Sequence, residues 1–169
     1  ARSRYTLFAE KAREEGYEQI AAIFLETADQ ELTHARTFFS LLEGGTVEIT
    51  AGYPAGVVGD TKTNLAEAAA GEREEWSDLY ENFAKVAQEE GFPTIANTFR
   101  LIARAEQMHE QRYMRLLERL TEGMEFSSPE PIDWCCRKCG FVVHGKDAPK
   151  RCPVCGAEQG YFERKAENF

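Results

Sequence analysis

Glu31-Leu32-Thr33-His34 and Glu106-Gln107-Met108-His109 are two Glu-x-x-His motifs 75 residues apart, and the spacing extends to the sequence around them. Displacing the chain by 75 pairs Tyr5 with Tyr80, Phe8 with Phe83, Ala9 with Ala84 and Ala12 with Ala87. Glu14-Glu15-Gly16 falls on Glu89-Glu90-Gly91, Ile20-Ala21 on Ile95-Ala96, Phe24 on Phe99 and Ala28 on Ala103. With the two motifs, 13 of the 32 positions from 5 to 36 are identical, without a gap. The chain carries one helical pair twice, and each copy brings the same glutamate and histidine.

Both motifs lie on apolar stripes at helical spacing. One stripe runs Ile20, Phe24, Thr27, Glu31, His34, Phe38, Leu41, and its mate runs Ile95, Phe99, Ile102, Glu106, His109, Tyr113, Leu116. Steps of three and four mark the inward face of a long amphipathic helix. Residues three apart stand about 4.5 Å apart along the axis at ~1.5 Å per residue, so each pair addresses one point. A third stripe, Leu65, Ala69, Glu72, Trp76, Leu79, Phe83, Val86, places Glu72 inward with Glu75 beside it. Taking even one carboxylate out of water costs at least several kcal/mol, and cations are the simplest compensation. With 29% of residues charged, a single glutamate reads as a solvated surface group. Repeated Glu-x-x-His units on apolar stripes do not. Glu-x-x-His on two helices with Glu on the other two is the ligand set of a di-iron carboxylate bundle.

Turn residues set the architecture. A first helix runs to about Glu15 and ends at Gly16, and a second runs from about Tyr17 to Leu42, closed by Gly44-Gly45. Residues 43–60 are too long for a tight turn and fit the single long crossover of ferritin-like bundles, in which the second and third helices run parallel. The third helix spans roughly 61–90 and stops at Gly91; the fourth begins near Pro93, suited to a first helical position, and fades by Gly123. The expected organisation is a bundle over 1–122, a linker over 123–133 with Pro129 and Pro131, and a small unit over 134–169.

All five cysteines lie in that last unit. Cys136-Arg137-Lys138-Cys139-Gly140 and Cys152-Pro153-Val154-Cys155-Gly156 are two Cys-x-x-Cys-Gly knuckles, which together make a tetrahedral four-thiolate site. Some 36 residues cannot fold on an apolar core alone, so the metal must stabilise them. Thiolate sulfur suits zinc and iron about equally. Cys135 breaks the knuckle spacing and reads as a plain thiol, and His144 as an ordinary loop residue.

A net charge of −9 without a basic block argues against nucleic acid or an anionic membrane surface as a partner. There is no run of 18 apolar residues, so no membrane-spanning helix is expected.

Glu31-x-x-His34, Gly71-Glu72-x-x-Glu75 and Glu106-x-x-His109, followed by Trp134-x-Cys136-x-x-Cys139-Gly140 and Cys152-Pro153-x-Cys155, resemble the rubrerythrin family over essentially the whole chain. The resemblance implies an all-α ferritin-like four-helix bundle with one long crossover, joined to a small C-terminal rubredoxin-like metal-knuckle domain. It implies a cytoplasmic non-haem di-iron peroxidase that reduces hydrogen peroxide to water. Electrons would enter through an Fe(Cys)4 centre, linked to NAD(P)H by carrier proteins such as reduced rubredoxin. Carried over, Glu31 and Glu106 bridge the two irons, Glu72 and His109 hold one, and Glu75 holds the other. His34 replaces Glu75 when the irons are reduced, and Tyr5 and Tyr80 lie near the site. The family assembles head to tail, so a homodimer or higher even-numbered oligomer is expected.

One further glutamate is implied upstream of Ala1, and subtracting 75 from Glu72 also lands three or four residues before it. Glu10, Glu14 and Glu15 do not occupy the equivalent place, so the ligand set within 1–169 is expected to lack one member. Two other readings remain: ferritin-like iron oxidation and storage, which gives no reason for a thiolate centre, and a non-catalytic metal-binding module with a zinc ribbon.

Overall fold

The computed structural model describes residues 1–167. Helices α1 (Arg2–Glu14) and α2 (Glu18–Phe39) form an antiparallel pair. An extended connection leads to α3 (Thr61–Glu74), which passes through a π-helical turn (Glu75–Leu79) into α4 (Tyr80–Glu89). The long α5 (Pro93–Thr121) returns alongside both. The third helix expected over 61–90 is therefore continuous in direction but underwound by one π turn at Glu75, a device frequent at functional sites.

The repeat is visible in the backbone. Gly16 and Gly91 both take positive φ, 80° and 86°, and close equivalent turns. Tyr17 N–H donates to Ala12 O at 2.8 Å, and Phe92 N–H to Ala87 O at 2.7 Å. This is the Schellman arrangement, which needs a left-handed residue that glycine supplies without strain. Asp60 caps α3 by accepting from Thr63 N–H at 2.7 Å. Thr61 N–H donates to Glu15 beside the first turn, so α3 starts where α2 starts and the two run parallel.

The core joins α1, α2, α3 and α5 through Tyr5, Phe8, Phe24, Leu65, Tyr113 and Leu116, all essentially inaccessible to water. Each such aliphatic or aromatic side chain contributes roughly 1.5–3 kcal/mol through burial. A smaller cluster, Ala84, Ala87 and Ala96 with Ile95 and Phe99, holds α4 against the start of α5. Between these two clusters lie the six glutamates and histidines of the stripes.

Residues 127–133, expected in the linker, belong to a strand: β1 (Ser127–Cys136) pairs with β2 (Val142–Asp147) on one side and β3 (Phe162–Arg164) on the other, antiparallel to both. Pro129 and Pro131 are tolerated because the β1–β2 register is broken between Ser127 and Ile132. His144, expected in a loop, sits in β2, where its Nδ1 meets Asp133 at 2.8 Å. Cys135 is half-buried in β1 and, among the described residues, has no sulfur partner.

This sheet unit packs on the end of the bundle at the α1–α2 turn. Phe126 stacks on Tyr17 with ring centroids 5.9 Å apart. A β-carbon on Gly160 would lie 2.0 Å from Gly16 O, so the contact admits glycine alone. Arg164 lies over the Trp134 ring and donates to Met124 O and Ser127 O, tying β3 to the segment that follows α5. Gly160→Ala should force the unit away from the bundle, at about 1–3 kcal/mol for an overpacked contact. The expected outcome is faster proteolytic cleavage between Thr121 and Ser127 with bundle helicity unchanged, measured by timed digestion and far-UV circular dichroism.

Candidate metal centres

The four knuckle cysteines converge. Cys136 Sγ lies 3.8 Å from Cys155 Sγ, and Cys139 Sγ 3.6 Å from Cys152 Sγ. Four sulfurs ~2.3 Å from a common ion stand about 3.8 Å apart in a tetrahedron, so the spacing is that of a metal site. It is far from the ~2.05 Å of a disulfide. Each knuckle is built the same way: Gly140 N–H donates to Cys136 O at 2.8 Å and Gly156 N–H to Cys152 O at 2.9 Å. Both glycines take positive φ, 77° and 71°, which turns the backbone round the ion. Cys139 and Cys155 reach the surface, while Cys136 and Cys152 are buried.

In the bundle, Glu31, Glu72, Glu106 and His109 bring ligand atoms within 4.8 Å of one another. Glu31 comes from α2, Glu72 from α3, and Glu106 and His109 from α5. His34 adjoins them. The carboxylates of Glu106 and Glu31 are each shared between the two imidazoles. Glu106 Oε1 is 2.9 Å from His34 Nδ1 and Glu106 Oε2 is 2.8 Å from His109 Nδ1. Glu31 Oε2 is 3.6 Å from His34 Nδ1 and Glu31 Oε1 is 3.2 Å from His109 Nδ1. Two carboxylates, each offering one oxygen to either side, are the arrangement of a bridged pair of ions.

Six of these atoms are buried and make no hydrogen bond among the described residues: Glu31 Oε1, Glu72 Oε2, both Glu106 oxygens, and Nδ1 of His34 and His109. Buried polar atoms are almost always satisfied, so a cluster of orphans facing one point calls for a cation. Hard carboxylates with imidazole suit iron. The residues fit the ion pair.

Glu75 stands at the edge, at the first residue of the π turn, where Tyr80 O–H donates to its Oε2 at 3.1 Å. Tyr5 O–H donates to Glu72 Oε1, so the two repeat-related tyrosines each hold one glutamate of the third helix. Burial pushes both phenols far above their ordinary values, which keeps them proton donors. Arg73 and Trp76 donate to the two oxygens of buried Glu110, both at 2.7 Å, and brace the π turn against α5 beside His109. A cleft of about 700 Å³ between α2 and α5 opens onto the site, lined by Gln30, His34, Met108, His109, Arg112 and Arg115. The sequence reading did not reach Gln30, Arg112 or Glu110.

The chain thus joins a helical bundle with a carboxylate- and histidine-lined two-metal site to a four-thiolate knuckle. Residues 1–117 match the family described as Rubrerythrin, and residues 134–163 the rubredoxin-like domain of rubrerythrin. The chain belongs to the rubrerythrin family. It is 56% identical to a rubrerythrin of Porphyromonas gingivalis across all of this chain and 84% of that one. It is 51% identical to rubrerythrin-1 of Clostridium acetobutylicum, across all of this chain and 89% of that protein. Among solved structures, nigerythrin in its fully reduced, all-ferrous state superposes with a TM-score of 0.64 at 32% identity, over 97% of this chain and 79% of that one. The ferritin-like bundle, the rubredoxin-like unit and the two metal centres expected from the sequence are all present.

Without metal the cluster holds protons instead. Burial opposes charging of His109 and His34, yet contact with Glu106 and Glu31, and with Glu72 for His109, pushes them up to about 11 and about 9. Burial and the charges of Glu72, Glu31 and Glu106 push Glu75 up to about 7. Burial raises Glu31, but the two imidazoles outweigh it and bring the carboxyl down to about 2. Groups raised by folding stabilise the protein fully below their unfolded values and lose that stabilisation as pH climbs through the folded ones. Glu75 loses its share between about 4.5 and 7, and the histidines theirs between about 6.5 and 9 to 11. Glu31 works the other way, and its share vanishes only as pH falls from about 4.5 to 2. Chelator-stripped protein should therefore unfold at a higher temperature near pH 5 than near pH 9, and iron loading should flatten that slope. Thermal unfolding of both forms at the two pH values checks this; equal midpoints for the stripped form contradict it.

Proposed function

We propose that this chain is a non-haem di-iron peroxidase of the cytoplasm, reducing hydrogen peroxide with two electrons and two protons to two waters. The observation that carries the reading is the pairing, in one chain, of a two-metal site open to a cleft with a separate four-thiolate centre. A pair of bound iron ions supplies the two electrons that cleave the O–O bond, one from each ion. Storage would leave the thiolate centre without a purpose. Glu31 and Glu106, each facing both imidazoles, would be shared between the metals, and Glu72 and His109 would hold one of them. Glu75 and His34 would serve the other in turn, since carboxylate would favour the ferric and imidazole the ferrous state. Tyr80 and Tyr5, still protonated at neutral pH, orient Glu75 and Glu72. Electrons reach the Fe(Cys)4 centre from a reduced rubredoxin or a similar carrier, itself supplied by NAD(P)H.

Rapid mixing of anaerobically reduced protein with peroxide, and separately with air-saturated buffer, tests the reaction. Peroxide should oxidise the di-iron centre faster than air does, and reductant should restore it. A protein that instead loads and retains iron well beyond roughly three ions per chain would be a storage protein.

The electron path runs between chains. The sheet unit sits at the Gly16 end of its own bundle, and Glu31 lies fifteen residues further along α2, about 22 Å at ~1.5 Å per residue. Charge favours docking on a second copy. Residues 134–165 carry seven Lys and Arg against three Asp and Glu, whereas residues 1–122 carry thirteen against twenty-two. The active form is accordingly a homodimer or higher even-numbered oligomer. A Cys139→Ser chain and a Glu106→Ala chain should each lack donor-driven peroxidase activity. Mixing them should restore it, by joining one intact knuckle to the other chain's intact bundle. Confirmed heterodimers without activity would remove the interchain path.

A further inference from the structure

The two histidines of the bundle are repeat mates, yet their surroundings differ. His109 Nε2, on the far side of the ring from the carboxylate cluster, meets Gln30 Oε1 at 2.9 Å. Gln30 is itself held at both ends of its amide. Its Nε2 donates to Glu26 Oε1 at 3.3 Å, and its Oε1 accepts from Arg112 at 3.3 Å. Arg112 in turn donates to Glu26 Oε1 at 2.7 Å and to Thr27 Oγ1 at 2.6 Å. Arginine only donates and an ionised carboxylate only accepts, so the amide of Gln30 has one orientation. Its carbonyl must face His109, and His109 must carry its ring proton on Nε2. That leaves Nδ1, which faces Glu106, Glu31 and Glu72, as the nitrogen whose lone pair a bound metal would take.

His34 has no such support. Its Nδ1 meets Glu106 and Glu31, and among the described residues nothing bonds its Nε2. The reason is written in the repeat. The position 75 residues after Gln30 is Ala105, which lines the same cleft as His34 and has nothing to offer an imidazole N–H. Glu26 and Thr27 are likewise mated with Leu101 and Ile102. One copy of the helical pair has a polar brace and the other an apolar wall.

We propose that Gln30, locked by Arg112 and Glu26, is the positioning residue that makes His109 the permanent imidazole ligand, and that alanine at position 105 leaves His34 free to leave and return. The inference rests on the di-iron reading with exchange at His34, and deepens it: the broken repeat at 30 and 105 decides which histidine moves. Partners that hold the distal nitrogen of a ligating histidine typically govern metal affinity by ten- to a hundredfold.

Four forms of the full chain test it: wild type, Gln30→Leu, Gln30→Glu and Ala105→Gln. Both positions border the cleft, so the changed side chains have room, and thermal unfolding checks that each variant folds. Zinc(II), being diamagnetic, reports the first readouts. Gln30→Leu should hold zinc in the bundle about ten- to a hundredfold more weakly in chelator competition. Gln30→Glu keeps the acceptor and should rescue binding to near the wild-type value. Nitrogen-15 spectra of the zinc-loaded wild type should show His109 bound through Nδ1 with the proton on Nε2.

The second readout is the reduction potential of the iron-loaded bundle. Loosening His109 removes an imidazole that favours the ferrous state, so Gln30→Leu should lower the potential. Bracing His34 keeps one in place, so Ala105→Gln should raise it. Opposite signs are the mark of positioning; a general disturbance of packing would move both in one direction. Zinc affinity and nitrogen shifts unchanged in Gln30→Leu, or potential shifts of the same sign, overturn the proposal. A wild type that binds its metals but turns over no peroxide overturns the peroxidase reading alone, since affinities and potentials can still be compared.

Discussion

Carboxylates buried inside a helical bundle are the constraint on which the rest of this molecule depends. Glu31, Glu72 and Glu106 are nearly sealed from water, and Glu75 sits beside them. Mutual repulsion and lost hydration would expel such a group from an ordinary core. The surrounding structure answers with imidazoles on the same helix faces, phenols that donate into Glu72 and Glu75, and a set of unpaired ligand atoms that a cation completes. The apolar core is confined to the two sides of this layer, with Phe8, Phe24 and Leu65 on one side and the alanines of α4 and α5 on the other. The bundle is a scaffold for placing charge where charge is costly.

Much of this was legible in the chain because repeats and stripes are periodic, and periodicity survives folding. The 75-residue displacement located Glu31, His34, Glu106 and His109, and the same displacement returns as matched turns at Gly16 and Gly91. The knuckles were legible because Cys-x-x-Cys-Gly is a local motif whose geometry needs no distant contact. What escaped notice was non-periodic or non-local. The π turn at Glu75 adds a residue to one helical turn without a distinctive composition. Strand β1 contains Pro129 and Pro131, which read as linker until β2 and β3 are seen beside it. Gln30 became meaningful only when α5 brought His109 against it, although its mismatch with Ala105 was present in the repeat.

Identity between the two halves built the frame, and difference between them gives it a function. The matched glutamates each face both imidazoles and the matched tyrosines each steady a glutamate, so the site is nearly two-fold in outline. Redox chemistry at two metals benefits from unequal ions. The unequal features are Glu26, Thr27 and Gln30 on α2 against Leu101, Ile102 and Ala105 on α5, and of these Gln30 and Ala105 line the cleft.

The close approach of Gly160 to Gly16 has a mechanical consequence. A thiolate centre on a slack tether would search for its electron acceptor, and its rate would follow the effective concentration set by linker length. With no space for even a methyl group at that contact, the sheet unit is an arm held at one angle rather than a ball on a chain. Such an arm cannot search. Where the thiolate centre can reach is then fixed by the fold itself and not by the length of a loose connecting chain.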